Sequence, residues 1–138
     1  MRRLGLDIGE RRIGVAVSDP SGRVATPLAV LDARAVASDI APLRRIVEDY
    51  EVRRLVVGLP LTMAGDEGPQ ACEVKRIASG LSEHLGMAVA YQDERLTSKA
   101  AERAMSEAGA GSRTRRGRVD MVAAALLLQA YLDAHGAS

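Results

Sequence analysis

Three acids stand where a carboxylate could do chemistry. Asp7 lies inside an apolar run, Leu4-Gly5-Leu6-Asp7-Ile8-Gly9. A carboxylate there is costly unless a donor, a cation or a metal compensates it. Gly5 and Gly9 flank it, and glycines in a strand often mark close approach by a ligand or another segment. Asp93-Glu94-Arg95 directly follows a second apolar run, and Asp120 sits between Val119 and Met121. Clustered anions repel one another, so carboxylates that meet need bound cations. Mg²⁺ and Mn²⁺ take hard oxygen ligands. Two such ions, about 3.5–4 Å apart, can activate a water and stabilise the leaving oxygen in phosphodiester cleavage. Each acid also has a simpler role open to it. Asp7 could bond its own turn, Glu94 could pair with Arg95 or a lysine, and Asp120 could cap its helix or favour the helix dipole.

The elements that must position these acids decide whether they meet. Residues 2–8 and 12–18 read as a hairpin around a Gly-Glu-Arg turn. A third run, Val24 to Leu31, follows the turn signal Pro20-Ser21-Gly22, which makes an antiparallel meander. Ile40, Leu43, Val47 and Tyr50 recur at helical spacing and predict a helix over 38–50, with Asp39 as its cap. Leu55 to Leu59 has no polar alternation, as expected of a strand buried on both faces. Residues 60–69 read as a loop. A helix then runs to about 85, with Ala71, Val74, Ile77, Ala78, Leu81 and Leu85 inward and Gly86 as its end. Met87 to Gln92 is a fifth strand. Thr97 or Ser98 starts a helix that fades at Gly109, 109–117 reads as a mobile loop, and a last helix covers about 119–134.

Strand–helix–strand units imply parallel pairing with right-handed crossovers. The expected fold is therefore α/β: a mixed five-stranded sheet, a three-stranded antiparallel meander plus parallel strands, with helices on both faces. A single domain, 1–138, suits the length. The first strand is then central, and ligands gather at the carboxyl ends of strands in such sheets. Asp7 and Glu94 both fall at that end.

Composition narrows the classes. Apolar residues make up 47%, which excludes a disordered chain. No run approaches a membrane span. Cys72 is the one cysteine, so there is no internal disulfide and no four-cysteine zinc site. With no export signal, the expected compartment is the reducing cytoplasm. Net charge is +1, but Ser112 to Arg118 holds four arginines and no acid. With no Trp, no Phe and three Tyr, a base-stacking platform is excluded and any nucleic-acid contact is to backbone and shape. The 58–68 loop lacks the Gly-Lys-Ser/Thr of a Walker loop. No histidine base accompanies Thr97 or Ser98. Cys72 reads as a packing residue.

Five stretches in order carry a resemblance. They are Gly5 to Gly9, Arg12 to Asp19, Val57 to Leu61 with Gly65 to Ala71, Asp93 to Ser98, and Val119-Asp120 with Ala123, Ala124 and Leu128 to Leu132. Together they resemble the YqgF/RuvX family, RNase H-like proteins described as pre-16S rRNA nucleases or Holliday junction resolvases. Departures are small: Arg11 stands where lysine is usual, and Thr62-Met63-Ala64 replaces the common Asn-Met-Asp/Glu. The resemblance implies an RNase H-like fold and an endonuclease with Asp7, Glu94 and Asp120 as the catalytic and metal-binding acids. It implies two Mg²⁺ or Mn²⁺ ions and a pre-rRNA or branched-DNA substrate. Arg11, Arg12, Arg113, Arg115, Arg116 and Arg118 are the expected nucleic-acid contacts, with no membrane partner and a monomer or homodimer. Two other readings stand beside this one. One is a non-catalytic RNA- or ribosome-binding factor on the same fold. The other is an actin-like nucleotide-binding module, suggested by the Asp7-Ile8-Gly9 hairpin; such proteins clamp nucleotide between two copies of the fold, and 138 residues supply one.

Overall fold

The computed structural model describes residues 1–95 and 112–135. Strands β1 (Arg2–Ile8) and β2 (Arg12–Ser18) form the antiparallel hairpin, and β3 (Ala25–Asp32) adds to β2 in the same sense. β4 (Val52–Leu59) and β5 (Ala88–Asp93) extend the sheet in parallel on the other side of β1. The spatial order is β3-β2-β1-β4-β5, so β1 is central. β3 is an edge strand, which is where Pro27 is tolerated, since a proline cannot donate to a ladder. Pro27 pairs with Ala16 where the β2–β3 register shifts.

The period of two along the strands sorts residues onto two cores. Leu4, Leu6 and Ile8 of β1, with Ile13, Val15 and Val17 of β2 and Leu55, Val57 and Leu59 of β4, pack on one face. That face is covered by α1 (Ala33–Ser38), α2 (Ala41–Asp49) and α3 (Pro69–Leu85), through Val36, Leu43, Val47, Ala71, Val74, Ala78 and Leu81. The opposite face carries small residues and one long helix, α4 (Ser112–His135). There Ala124, Leu127, Leu128, Tyr131 and Leu132 close over Ala16 and Val56. Gln129 stitches α4 to the start of β3. Its Oε1 accepts from the Ala25 N–H at 2.9 Å, and its Nε2 donates to the Arg23 carbonyl at 2.8 Å.

Several elements differ from the sequence reading. Helix α1 lies where no helix was expected. Its alanines favour helix, and Asp32 caps it by accepting from the Ala35 N–H at 3.0 Å. Helix α2 begins later than 38, and Ile40, not the expected Asp39, takes its cap position; Asp39 stands one residue before it and accepts from the Ala41 N–H at 3.0 Å. β4 starts at Val52, three residues early. Helix α4 starts at Ser112, so 112–117 is helical backbone and not a loop, as its helix-favouring arginines allow. The helix expected from Thr97 or Ser98 to Gly109 lies outside the described residues. Gly86 ends α3 as expected, at φ 65°, with its N–H on the Ser82 carbonyl at 2.8 Å. Cys72 is exposed, not packed, because the inward stripe of α3 passes through Ala71 and Val74. No helix among the described residues is long and apolar enough to cross a membrane.

Arg3 is a cost in this core. It is 1% exposed and lies on the α4 side of β1, its guanidinium 5.9 Å from the Tyr131 ring centre. Its Nε and Nη1 are buried with no hydrogen-bond partner among the described residues.

Candidate active site

On the α4 face of the central sheet, glycines stand where the helix and the end of β5 come closest. Arg3, Gly5 and Asp7 are the β1 residues on this side, alternating with the apolar set. A side chain on Gly5 would stand 2.8 Å from Leu128 Cβ and 3.0 Å from the Ala124 carbonyl, so α4 lies directly on the strand. Asp7 pairs with Gly14 on β2. On β4, Gly58 follows Val57, the partner of Leu6, so Asp7 has a glycine on both flanks. A side chain on Gly14 would collide with the main-chain carbonyl of Asp120. One on Gly58 would collide with the Glu94 carboxylate and stand 2.8 Å from Leu127 Cδ2. These two glycines make the space through which α4 and the end of β5 bring their acids toward Asp7.

Glu94 follows β5, and its N–H donates to the Leu59 carbonyl at 3.3 Å, which extends the β4–β5 ladder past Asp93. Its carboxyl is hydrogen-bonded to that of Asp7. Two carboxyls can bond only if they share a proton. Burial first, and then the charge of Asp7, push Glu94 up to about 8. Asp7 is also raised, by burial first and by the charge of Asp120, while its bond with Glu94 works the other way. Both carboxyls are thus pushed toward their protonated forms, and Asp120 lies within electrostatic reach of Asp7.

Asp120 itself points elsewhere. Its Oδ2 lies 2.8 Å from Arg12 Nε, in a pair whose side chains are 25% and 40% exposed. Among the described residues no three His, Cys, Asp or Glu side chains stand together as a set able to hold a metal ion. The structure thus brings Asp7 and Glu94 into contact and leaves Asp120 beside them, held by Arg12. Asp93 faces outward. Arg95 grips it with Nε at 2.9 Å and Nη2 at 2.7 Å, which keeps its carboxyl below the ordinary range. That pairing also removes Arg95 as a partner for Glu94. Arg95 Nη1 reaches the Thr62 carbonyl at 3.5 Å and so ties the 60–68 loop to this edge.

Of the expected nucleic-acid contacts, Arg11 is exposed beside Arg12, and Arg118 is exposed two residues before Asp120. The side chains of Arg113, Arg115 and Arg116 lie outside the described residues. Gly14, Gly58 and the Arg12–Asp120 pair were not foreseen as parts of the site. A glycine inside an apolar strand run was the available signal for the first two.

A family model described as "RuvX: Holliday junction resolvase" matches residues 1–134. A protein of Chloroflexus aggregans is 48% identical over 131 residues, which cover 95% of this chain and 92% of that one. One of Moorella thermoacetica is 47% identical over 136 residues, 99% and 97% of the two chains. The names of both contain the words "pre-16S rRNA nuclease". Among solved structures, the Thermus thermophilus RuvC in complex with Holliday junction substrate superposes with a TM-score of 0.57 at 17% identity, over 99% of this chain and 98% of that one. At that identity the likeness establishes the fold, which is RNase H-like.

Proposed function

The chain belongs to the RuvX family, a family of nucleases that hydrolyse phosphodiester bonds, and on that premise we propose that it is a metal-dependent endonuclease acting on structured nucleic acid in the cytoplasm. The observation that carries the reading is the convergence on Asp7, at the carboxyl end of the central strand, of the Glu94 carboxylate over Gly58 and the Asp120 main chain over Gly14, the strand partner of Asp7.

The residues present fit a divalent cation. Two carboxyls that burial first, and then each other's charge, push toward the protonated form offer oxygen donors to a hard ion in place of a proton. Asp7 and Glu94 would hold Mg²⁺ or Mn²⁺, and Asp120 would join them once its side chain turns from Arg12. Such ions lower the pKa of a bound water and neutralise the oxygen that leaves. The chain supplies the rest. Gly14 lets the Asp120 main chain approach β2, and Gly58 leaves the space that the Glu94 side chain fills, so the central strands set how closely these acids come to Asp7. Arg11 and Arg118 lie exposed at the same edge and would hold phosphates flanking the one attacked.

We assign the 5′ end of pre-16S rRNA as the substrate ahead of a DNA junction. Relatives at 47–48% identity over nearly the whole chain carry rRNA in their names. The junction-bound neighbour shares 17% identity and supports the fold alone. The test is cleavage of a pre-16S 5′ leader and a four-way DNA junction side by side, in Mg²⁺, in Mn²⁺ and in EDTA, with Asp7→Asn as the control. Metal-dependent cuts in the leader that vanish in Asp7→Asn are expected. Cuts confined to the junction would reverse the substrate assignment. No cleavage of either, with binding intact, would return the chain to a non-catalytic RNA-binding role.

A further inference from the structure

We propose that Arg12 stands in for the divalent cation at Asp120, holding that carboxylate while the site is metal-free and passing to a substrate phosphate once the cation binds. The inference rests on the acid-site reading above and adds to it a residue that switches partners.

Charge is the first argument. The metal-free site gathers three carboxyls at one edge. Asp120 is relieved by the Arg12 guanidinium at 2.8 Å. A cation seated against the same carboxylate would supply positive charge in its place, so the guanidinium would no longer be needed there to offset the acid.

Placement is the second. Arg12 opens β2, and its main chain is pinned: the Gly9 N–H donates to its carbonyl at 2.9 Å. Its cross-strand partner is Asp32, but that carboxylate is engaged in capping α1. Asp120 is the acid that the Arg12 side chain pairs with. The main chain of Asp120 is likewise fixed, seated on Gly14, the strand neighbour of Asp7. Exchange therefore needs only side-chain rotation on two anchored residues. At 40% exposure the guanidinium already reaches solvent at the edge where phosphates would lie. A pair this exposed is weak, so it can be displaced.

Mn²⁺ titration by calorimetry, without nucleic acid, reads the first half. Arg12→Ala is expected to bind Mn²⁺ about two- to five-fold more tightly than wild type, the worth of one exposed pair. Arg11→Ala removes the same charge from the next residue and is expected to leave the affinity unchanged. In an Asp120→Asn background, Arg12→Ala is expected to add nothing. Arg12→Lys keeps charge without the Nε–H and is expected to fall between, which keeps the test usable if Arg12→Ala melts early.

Binding of the leader or junction, whichever is held more tightly, reads the second half. In Ca²⁺, Arg12→Ala is expected to weaken binding and, on duplex, to flatten the log–log salt slope by about 0.9. In EDTA the two proteins are expected to bind alike. Equal Mn²⁺ affinity in wild type and Arg12→Ala, or an equal gain in Arg11→Ala, overturns the exchange while leaving the acid site standing. Absence of Mn²⁺ binding in every protein overturns the acid-site reading and the exchange together.

Discussion

Gly14→Ala is the sharpest test of how the site is built. The new Cβ would overlap the Asp120 carbonyl and lie 3.2 Å from Asp120 Cα. Both partners are main chain, so no rotamer change can relieve the clash. Carbon contacts settle near 3.5–4.0 Å, so α4 must lift by on the order of 1 Å at this point. Overpacking typically costs about 1–3 kcal/mol, and a clash between two backbones belongs at the upper end. For a chain of this length about 3 kcal/mol corresponds to a fall in Tm of about 10 °C. Activity should suffer more than stability, because Asp120 moves with the helix and a misplacement of 1 Å can cost about 10²-fold. Urea unfolding with Cm and m read separately, beside cleavage rates well below Tm, measures both. Gly80→Ala on α3 is the control. Nothing lies within 4 Å of its new Cβ, and it should stabilise by about 0.5–1 kcal/mol, as alanine does in a helix. Wild-type stability and rate in Gly14→Ala would refute the close seating of α4 on β2.

Four further outcomes follow from the same geometry. Gly58→Ala meets the movable ends of Glu94 and Leu127, so it should abolish cleavage by forcing the Glu94 carboxyl off Asp7 while lowering Tm by less than Gly14→Ala. In EDTA, stability should fall as pH rises toward about 8. Glu94 and Asp7 are raised, so the folded chain binds more protons than the unfolded one across that window; the contribution is full below about 4.3, the ordinary Glu value, and is lost above. Denaturant midpoints from pH 5 to 9, with and without Mn²⁺, check this, and Asp7→Asn should flatten the curve and raise Tm at pH 8 in EDTA. Arg3→Met should leave stability unchanged or raise it, since a buried guanidinium with two unpartnered nitrogens gives way to an apolar chain of similar reach; a large fall in Cm would show that the Tyr131 contact outweighs the burial cost.

The strands were legible because each is a short apolar run bounded by turn residues, and β1's place at the centre followed from two crossovers. Asp7 and Glu94 could be placed at one edge by counting strands alone. Helix α1 was missed because six residues carry too little periodicity, although Asp32 and three alanines were in plain view. The start of α4 was missed because a stretch of arginines with Ser, Thr and Gly reads as a solvated loop, with no apolar periodicity to mark a helix. The roles of Gly14 and Gly58 depend on what packs above them. That information lies in Asp120 and Glu94, far along the chain. The Arg12–Asp120 pair spans 108 residues and has no local sign at all.

The two-residue period of β1 has a consequence for how the chain can fail. Leu4, Leu6 and Ile8 feed one core while Gly5 and Asp7 face the other side, so slipping the strand by one position would exchange the acid for an isoleucine and turn the core leucines onto α4. Neither Gly14 nor Gly58 leaves room there for a branched side chain. A misregistered product would therefore be unable to seat its last helix and would leave apolar surface open to proteases and chaperones. Errors in the strand that carries the chemistry are thus also errors of folding, and a well-packed chain with a scrambled site is not among the products this sequence can accumulate.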